Sequence, residues 1–301
     1  MAMPILSDAD VRRLSDANAA IAAVETALRA KADGRLIAPP RHSVDFPDGA
    51  LVFTIGGTKG AQSIAGFRAY STWEGASDRQ VTAVWTRDGI KGLVFGNYLG
   101  ALRTGALGGV AIKHLSDPGA RVCGVLGSGL QSETQLRCAL AVRPSIKTIR
   151  VFSRSGEKRS SFARRMSAEL NIAVEAVNSA RDAIEGADIA IVATDSATPV
   201  LDLDWLKKGA HVNSLGPKFA NSHELPKAIA ARATSIATDS PEQIRAFPSF
   251  YLADDLPRVI DLADLVTARK QPARGDLTLF VSAGLAGTEV LVADALLNSA
   301  T

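Results

Sequence analysis

Apolar residues recur at Val11, Leu14, Ala17, Ile21, Val24 and Leu28, the spacing of one helix face. Ser7 and Asp8 can cap such a helix and Gly34 can end it, which predicts a helix over 7–33. Pro39 and Pro40 then exclude helix and predict an extended segment. From residue 50 to 98 the rhythm shortens. The runs ALVFTIGG, SIAGFRAYST, VTAVWTRDG and KGLVFGN are separated by Gly and Asp turns, which predicts a mainly antiparallel sheet. Residues 99–116 return to helical spacing, and Asp117-Pro118-Gly119 ends them. Beyond Pro118, Val- and Ile-rich runs alternate with helical ones: RVCGVLG, TIRVFSRS, IAVEAV, DIAIVAT, AHVNSLG and TSIATDS are the strands. That alternation predicts an α/β fold with a parallel, doubly wound sheet of Rossmann type. The C-terminal run TLFVSAGLAGTEVLVADALLNSA is read as a long apolar helix that packs back on the N-terminal part, with no strand partner left to serve.

The chain has 301 residues, enough for two domains, and is 47% hydrophobic with a net charge of +3. Such a small, dispersed charge gives no footprint for nucleic acid. No stretch of 18 uncharged apolar residues occurs, so no membrane span is expected. The start lacks the pattern of a secretory signal. Cys123 and Cys138 form neither a CxxC pair nor a zinc set, and read as reduced core thiols of a cytoplasmic protein. No metal site is expected.

The clearest chemical motif follows the first strand of the alternating part: Gly127-Ser128-Gly129-Leu130-Gln131-Ser132 leads directly into a helix. Strand, glycine turn and helix N-terminus are the context that binds a dinucleotide pyrophosphate, with Gly127 making the turn and Gly129 admitting the phosphate. Ser132 stands where a third glycine is usual. At the end of the next strand, where an acidic residue would bond the ribose 2′-hydroxyl of NAD, this chain has Ser153, Arg154 and Ser155, with Lys158 and Arg159 just beyond. Guanidinium suits a 2′-phosphate, so NADP(H) is the expected cofactor, with NAD(H) possible. Thr194, at the end of a later strand, is placed with these cofactor residues.

Taken together, ALRTGALGGVAIKHLS, VLGSGLQSETQL, HVNSLG and LFVSAGLAGTEV resemble the ornithine cyclodeaminase/mu-crystallin family over roughly residues 5–295. The resemblance implies an α+β substrate-binding and dimerisation domain (1–117 with 277–301), a dinucleotide domain inserted at 118–276, and a homodimer. It implies that Arg41 and Arg103 grip a substrate carboxylate, that Thr104 contacts cofactor phosphate, and that the strand ending at Asp239 and Ser240 lines the site. Ser282, Gly284 and Leu285 approach the nicotinamide on the same basis, and Glu289 either faces the substrate or caps a partner helix.

Two positions depart from the family pattern. Arg68 replaces a lysine; arginine stays charged and is a poor proton shuttle. Lys218 falls where cyclodeaminases carry an aspartate that handles the substrate amine. Lys218, if desolvated among arginines, would have a lowered pKa and serve as general acid or base. A site with Arg41, Arg68, Arg103 and Lys218 should repel a cationic diamino acid and accept an anion: a keto acid, an imino acid or a substrate with two carboxylates. The expected function is therefore an NAD(P)H-dependent oxidoreductase transferring hydride at the α-carbon of a small amino, imino or keto acid. The alternatives are a non-catalytic NADP(H)-dependent binding protein, or a cyclodeaminase releasing ammonia.

Overall fold

The computed structural model describes residues 3–61, 63–75, 79–247 and 249–300. The chain divides into two compact units, residues 1–106 with 284–301, and residues 107–283.

The first unit contains β1 (Ile5–Leu6), α1 (Asp8–Leu14), α2 (Ala17–Ala32), β2 (Leu36–Ile37), β3 (His42–Phe46), β4 (Gly49–Thr58), β5 (Ile64–Ser71), β6 (Val81–Thr86) and β7 (Gly89–Phe95), and the start of α3 (Tyr98–Leu115). The expected single helix over 7–33 is two. Ser7 and Asp10 close a capping box on α1, while the Asp16 carboxylate accepts from Ala19 N and starts α2 afresh. A side-chain cap inside an apolar period outcompetes continuation of the helix. The sheet runs β1-β7-β6-β5-β4-β2, with β3 also paired to β4. All pairs are antiparallel except β1–β7.

Side chains alternate across the pleat, which gives this sheet two distinct faces. Thr54, Arg68 and Thr82 stand opposite one another on β4, β5 and β6 and share the face covered by the C-terminal helix. Their neighbours Ile55 and Phe67 point the other way, where Phe67 packs on Trp85 with 5.7 Å between ring centroids.

The second unit adds β8 (Val122–Leu126), α4 (Leu130–Val142), β9 (Thr148–Phe152), α5 (Gly156–Leu170), β10 (Val174–Ala176), α6 (Ala180–Ile184), β11 (Ile189–Val192), β12 (Ala210–Ser214), β13 (Lys218–Phe219), β14 (Ser222–His223), α7 (Ile229–Arg232), β15 (Ser235–Thr238), α8 (Pro241–Ala246), β16 (Val259–Asp261), α9 (Leu262–Val266) and β17 (Leu277–Val281). Eight of these strands form one sheet in the order β10-β9-β8-β11-β12-β17-β15-β16, parallel throughout. The α/β expectation with a doubly wound parallel sheet is borne out. The chain steps outward from β8 to β10 and then returns to β11 on the other side. The order therefore reverses beside β8, where such sheets bind ligands.

One expectation is corrected. Residues 277–281 are not helical: they form β17, inserted between β12 and β15. The helix α10 (Thr288–Ser299) begins later and belongs to the first unit. All five residues of β17 are buried. A strand covered on both faces shows a continuous apolar run, which periodicity cannot tell from buried helix. At the C-terminal end of α3 the buried Arg143 guanidinium donates to the carbonyls of Ile112, Lys113 and Ser116, placing a cation where the helix dipole is negative. No helix among the described residues is long and apolar enough to cross a membrane.

Candidate active site

In the second unit a cavity of about 710 Å³ opens at the carboxyl ends of β8, β9 and β11. Gly127, Ser128, Gly129, Leu130, Gln131, Ser153, Arg154, Ser155 and Thr194 all line it, together with Lys158, Asp195 and Ser196. Gly127 has φ +109°, and a Cβ there would lie 2.3 Å from the Ala193 carbonyl oxygen, so the turn admits only glycine. A Cβ on Gly129 would meet nothing within 4 Å. Gly129 is the N-cap of α4 and no side chain caps that end, which leaves the first-turn N–H groups for an anion. This cradle fits a dinucleotide pyrophosphate.

The rim at β9 carries charge of the expected sign. Arg154 is exposed and lies 3.3 Å from Asp195, a pairing of little net strength in water. Ser155 caps α5 by accepting from Lys158 N, and the Ser128 and Ser153 hydroxyls are 2.9 Å apart. Arg159 is placed differently. It turns back to donate to the Ser153 carbonyl and to Asn178 Oδ1, and so braces the end of β9.

A second group supports the cavity wall and has no signal in the sequence. Glu224 is fully buried. One of its oxygens accepts from Thr194 N and Oγ1, the other from Ser214 Oγ, Leu215 N and Gly216 N. Burial pushes its carboxyl upward, opposed by these donors and by the Lys218 charge. Lys218, expected in catalysis, starts β13 and donates to the Leu215 carbonyl at 3.1 Å.

Further down, His211 is fully buried on β12. Its Nε2 bonds Asn213 Oδ1 and its Nδ1 faces the Thr278 hydroxyl. The Asn213 amide donates to Gly108 O and Gln135 Oε1, tying β12 to α4. Burial lowers the His211 pKa to about 4, so it is a neutral structural group at physiological pH.

In the first unit the structure brings Arg41, Arg68 and Arg103 together. A Cβ on Gly284 would lie 3.0 Å from Arg41 Nη2 and 4.0 Å from Arg103 Nη1, so two guanidiniums converge on the space a side chain there would take. Gly284 has φ +92°. A Cβ on Gly100 would lie 2.6 Å from Arg68 Nη2, and Gly100 and Arg103 share one face of α3. Arg68 is held by Gln80 Oε1, which accepts from its Nε at 3.0 Å and from Nη2, and by the Tyr70 ring 4.6 Å from its Cζ. Burial, then the neighbouring Arg103 charge, lowers the Arg68 pKa to about 10.

Glu289 completes the cluster. It is fully buried on α10, accepts from Thr54 Oγ1 and lies 3.8 Å from Arg103 Nε. Arg103 Nε has no hydrogen bond among the described residues. Glu289 thus stands beside the arginines. Thr104 donates to the Gly100 carbonyl within α3. Ser282 N bonds the Ser214 carbonyl, and Ala283 N bonds the buried Asp239 carboxylate. Among the described residues no group of three or more His, Cys, Asp or Glu side chains could hold a metal ion.

With this geometry in hand, comparison with known proteins is decisive on kinship. The model of the ornithine cyclodeaminase/mu-crystallin family matches residues 2–301. The chain belongs to that family. It is 31% identical over 219 residues to a Δ1-pyrroline-2-carboxylate reductase of Bacillus cereus, a match covering 69% of this chain and 66% of that one. Among solved structures it resembles the Thermococcus litoralis Δ1-pyrroline-2-carboxylate reductase in complex with NADH and L-proline (TM-score 0.86, 26% identity, 99% of this chain and 97% of that one). It also resembles the Paracoccus denitrificans iminosuccinate reductase in complex with NAD+ (TM-score 0.88, 26% identity, 99% and 96%).

Proposed function

We propose that this chain is an NAD(P)H-dependent imine reductase of the ornithine cyclodeaminase/mu-crystallin family, acting at the α-carbon of a small imino acid. The observation that carries the reading is the convergence of Arg41 and Arg103 on the side-chain-free space at Gly284, in a chain whose other unit holds a dinucleotide cradle at its strand-order reversal. Two guanidiniums can fix one carboxylate and so orient the adjacent carbon. When bound, the cofactor supplies a hydride. Delivered to the imine carbon, with a proton to nitrogen, that hydride would give the amine, and Arg41 and Arg103 would hold the carboxylate of the imino acid in place for it. Arg68, which stays charged, is not required to give that proton.

The cluster also argues against a cyclodeaminase. Three guanidiniums around one carboxylate repel the second ammonium of a diamino acid. Lys218, bonded to the Leu215 carbonyl and beside Glu224, is read as holding the β12–β13 connection.

NADP(H) is the proposed preference, because Arg154 and Lys158 line the rim and the end of β9 offers serines where a carboxylate would select NAD. Arg154→Ala should weaken NADPH binding about tenfold or more, the loss of one charge-assisted hydrogen bond, and change NADH binding less than twofold. Fluorescence titration reads both. The buried thiols Cys123 and Cys138, not joined in a disulfide, favour a reducing compartment such as the cytoplasm.

The reading as a whole is tested by NADPH oxidation against a panel of 2-oxo acids with ammonia or methylamine and of preformed cyclic imines. Turnover supports it. Tight NADPH binding with no turnover on any substrate would replace it with a binding protein.

A further inference from the structure

The arginine cluster has a charge excess that one carboxylate does not remove. Arg103 lies 3.8 Å from the buried Glu289 carboxylate, whose charge also acts on Arg68, and Arg41 and Arg103 both lie close enough to lower the Arg68 pKa. With one substrate carboxylate seated between Arg41 and Arg103, three guanidiniums and two carboxylates still leave one positive charge in excess. Among the described residues Arg68 makes no ion pair; its hydrogen-bond acceptor is the neutral amide oxygen of Gln80. Holding a partly buried guanidinium that makes no ion pair beside another costs free energy, and burial lowers its pKa without neutralising it near pH 7.

The surroundings of Arg68 are built to keep it in place. Its register on β5 puts it in the row Thr54–Arg68–Thr82, on the face of the sheet that carries the Glu289 contact. Gln80 grips one edge of the fork and Tyr70 lies under its plane. Gly100, one turn before Arg103 on α3, leaves the space its Nη2 approaches, since a Cβ there would stand 2.6 Å away. A fork held this rigidly loses little freedom on binding a second carboxylate.

We infer that Arg68 is a specificity-determining residue for a second carboxylate, and that the preferred substrate is the imine of a four- or five-carbon 2-oxo dicarboxylic acid. The inference rests on the imine-reductase reading above. Its relatives do not decide the point, since they include reductases named for both a monocarboxylate and a dicarboxylate imine.

The test compares NADPH oxidation with ammonia and oxaloacetate or 2-oxoglutarate against ammonia and pyruvate or 2-oxobutanoate. Wild-type kcat/KM should favour the dicarboxylates by at least thirtyfold. In Arg68→Met that preference should fall at least tenfold, and in Arg68→Lys, which keeps the charge, most of it should persist. Calorimetry with succinate and propionate on the protein saturated with NADPH reads the same preference without turnover. Equal kcat/KM and equal binding for the two classes would overturn the inference while leaving the reductase reading standing. A preference that survives Arg68→Met would overturn the role of Arg68. Absence of turnover on every substrate would remove the reductase reading, and tighter succinate than propionate binding, lost in Arg68→Met, would still support the second-carboxylate site.

Discussion

Gly284 shows how much one position can decide. It sits at φ +92° with Arg41 and Arg103 on either side of its missing side chain. Gly284→Ala adds a Cβ both in a disfavoured backbone region and in the space between the two forks. It should cost about 1–2 kcal/mol of stability and raise KM at least tenfold, which thermal unfolding and steady-state kinetics would separate. His211 makes the complementary case of a buried group that titrates out of reach. Its folded pKa, about 4, lies below the unfolded value near 6.5. The neutral folded form is therefore fully favoured above pH 6.5, and its contribution is lost as pH falls from there towards 4. Unfolding in that window should take up one proton, and the pH dependence of stability should flatten in His211→Gln. A wild-type urea midpoint that stays constant from pH 7 to 4.5, with no added slope relative to the variant, would contradict this.

Among elements, the connection after β12 depends on one carboxylate. Glu224 collects donors from the end of β11 and from three successive residues at the end of β12. One of these, Thr194, lines the dinucleotide cavity. Glu224→Gln replaces one acceptor oxygen by an N–H₂ that faces donors, and should cost about 1–3 kcal/mol. The NADPH dissociation constant should rise several-fold with it, whereas a residue that only fills space would change Tm alone. Much at this scale was legible in the chain. The strand, glycine turn and helix at Gly127 lie contiguous in sequence, so their local chemistry implied their geometry. Glu224 was not legible, because its partners sit 8 to 30 residues away and nothing in the motif SHEL marks its glutamate. Helix α10 and strand β17 were merged for a related reason: five buried residues in a row carry no period.

At the scale of the whole molecule, the outer face of the first unit's sheet exposes Val44, Phe46, Ile55, Ile90 and Phe95, with Phe67 and Trp85 packed beside Ile55 in a shallow apolar depression. Exposed apolar area of this kind marks an association surface, and we propose that the homodimer implied by the family resemblance would bury it. Ile55→Lys combined with Trp85→Glu should convert the dimer to monomer in sedimentation velocity, and a species that is monomeric before any substitution would refute the proposal. The sequence by itself determined the α/β class, the dinucleotide turn, the rim charge at Arg154 and the identities of the three arginines, because each is set by local period or by residue type. Only the tertiary structure decided that Arg41, Arg68 and Arg103 come together, that Arg159 turns back onto the Ser153 carbonyl, that His211 is buried on β12, and that Glu289 lies beside Arg103. Those outcomes depend on strand register and on helices far apart in the chain meeting at one face, and neither is written in any single segment.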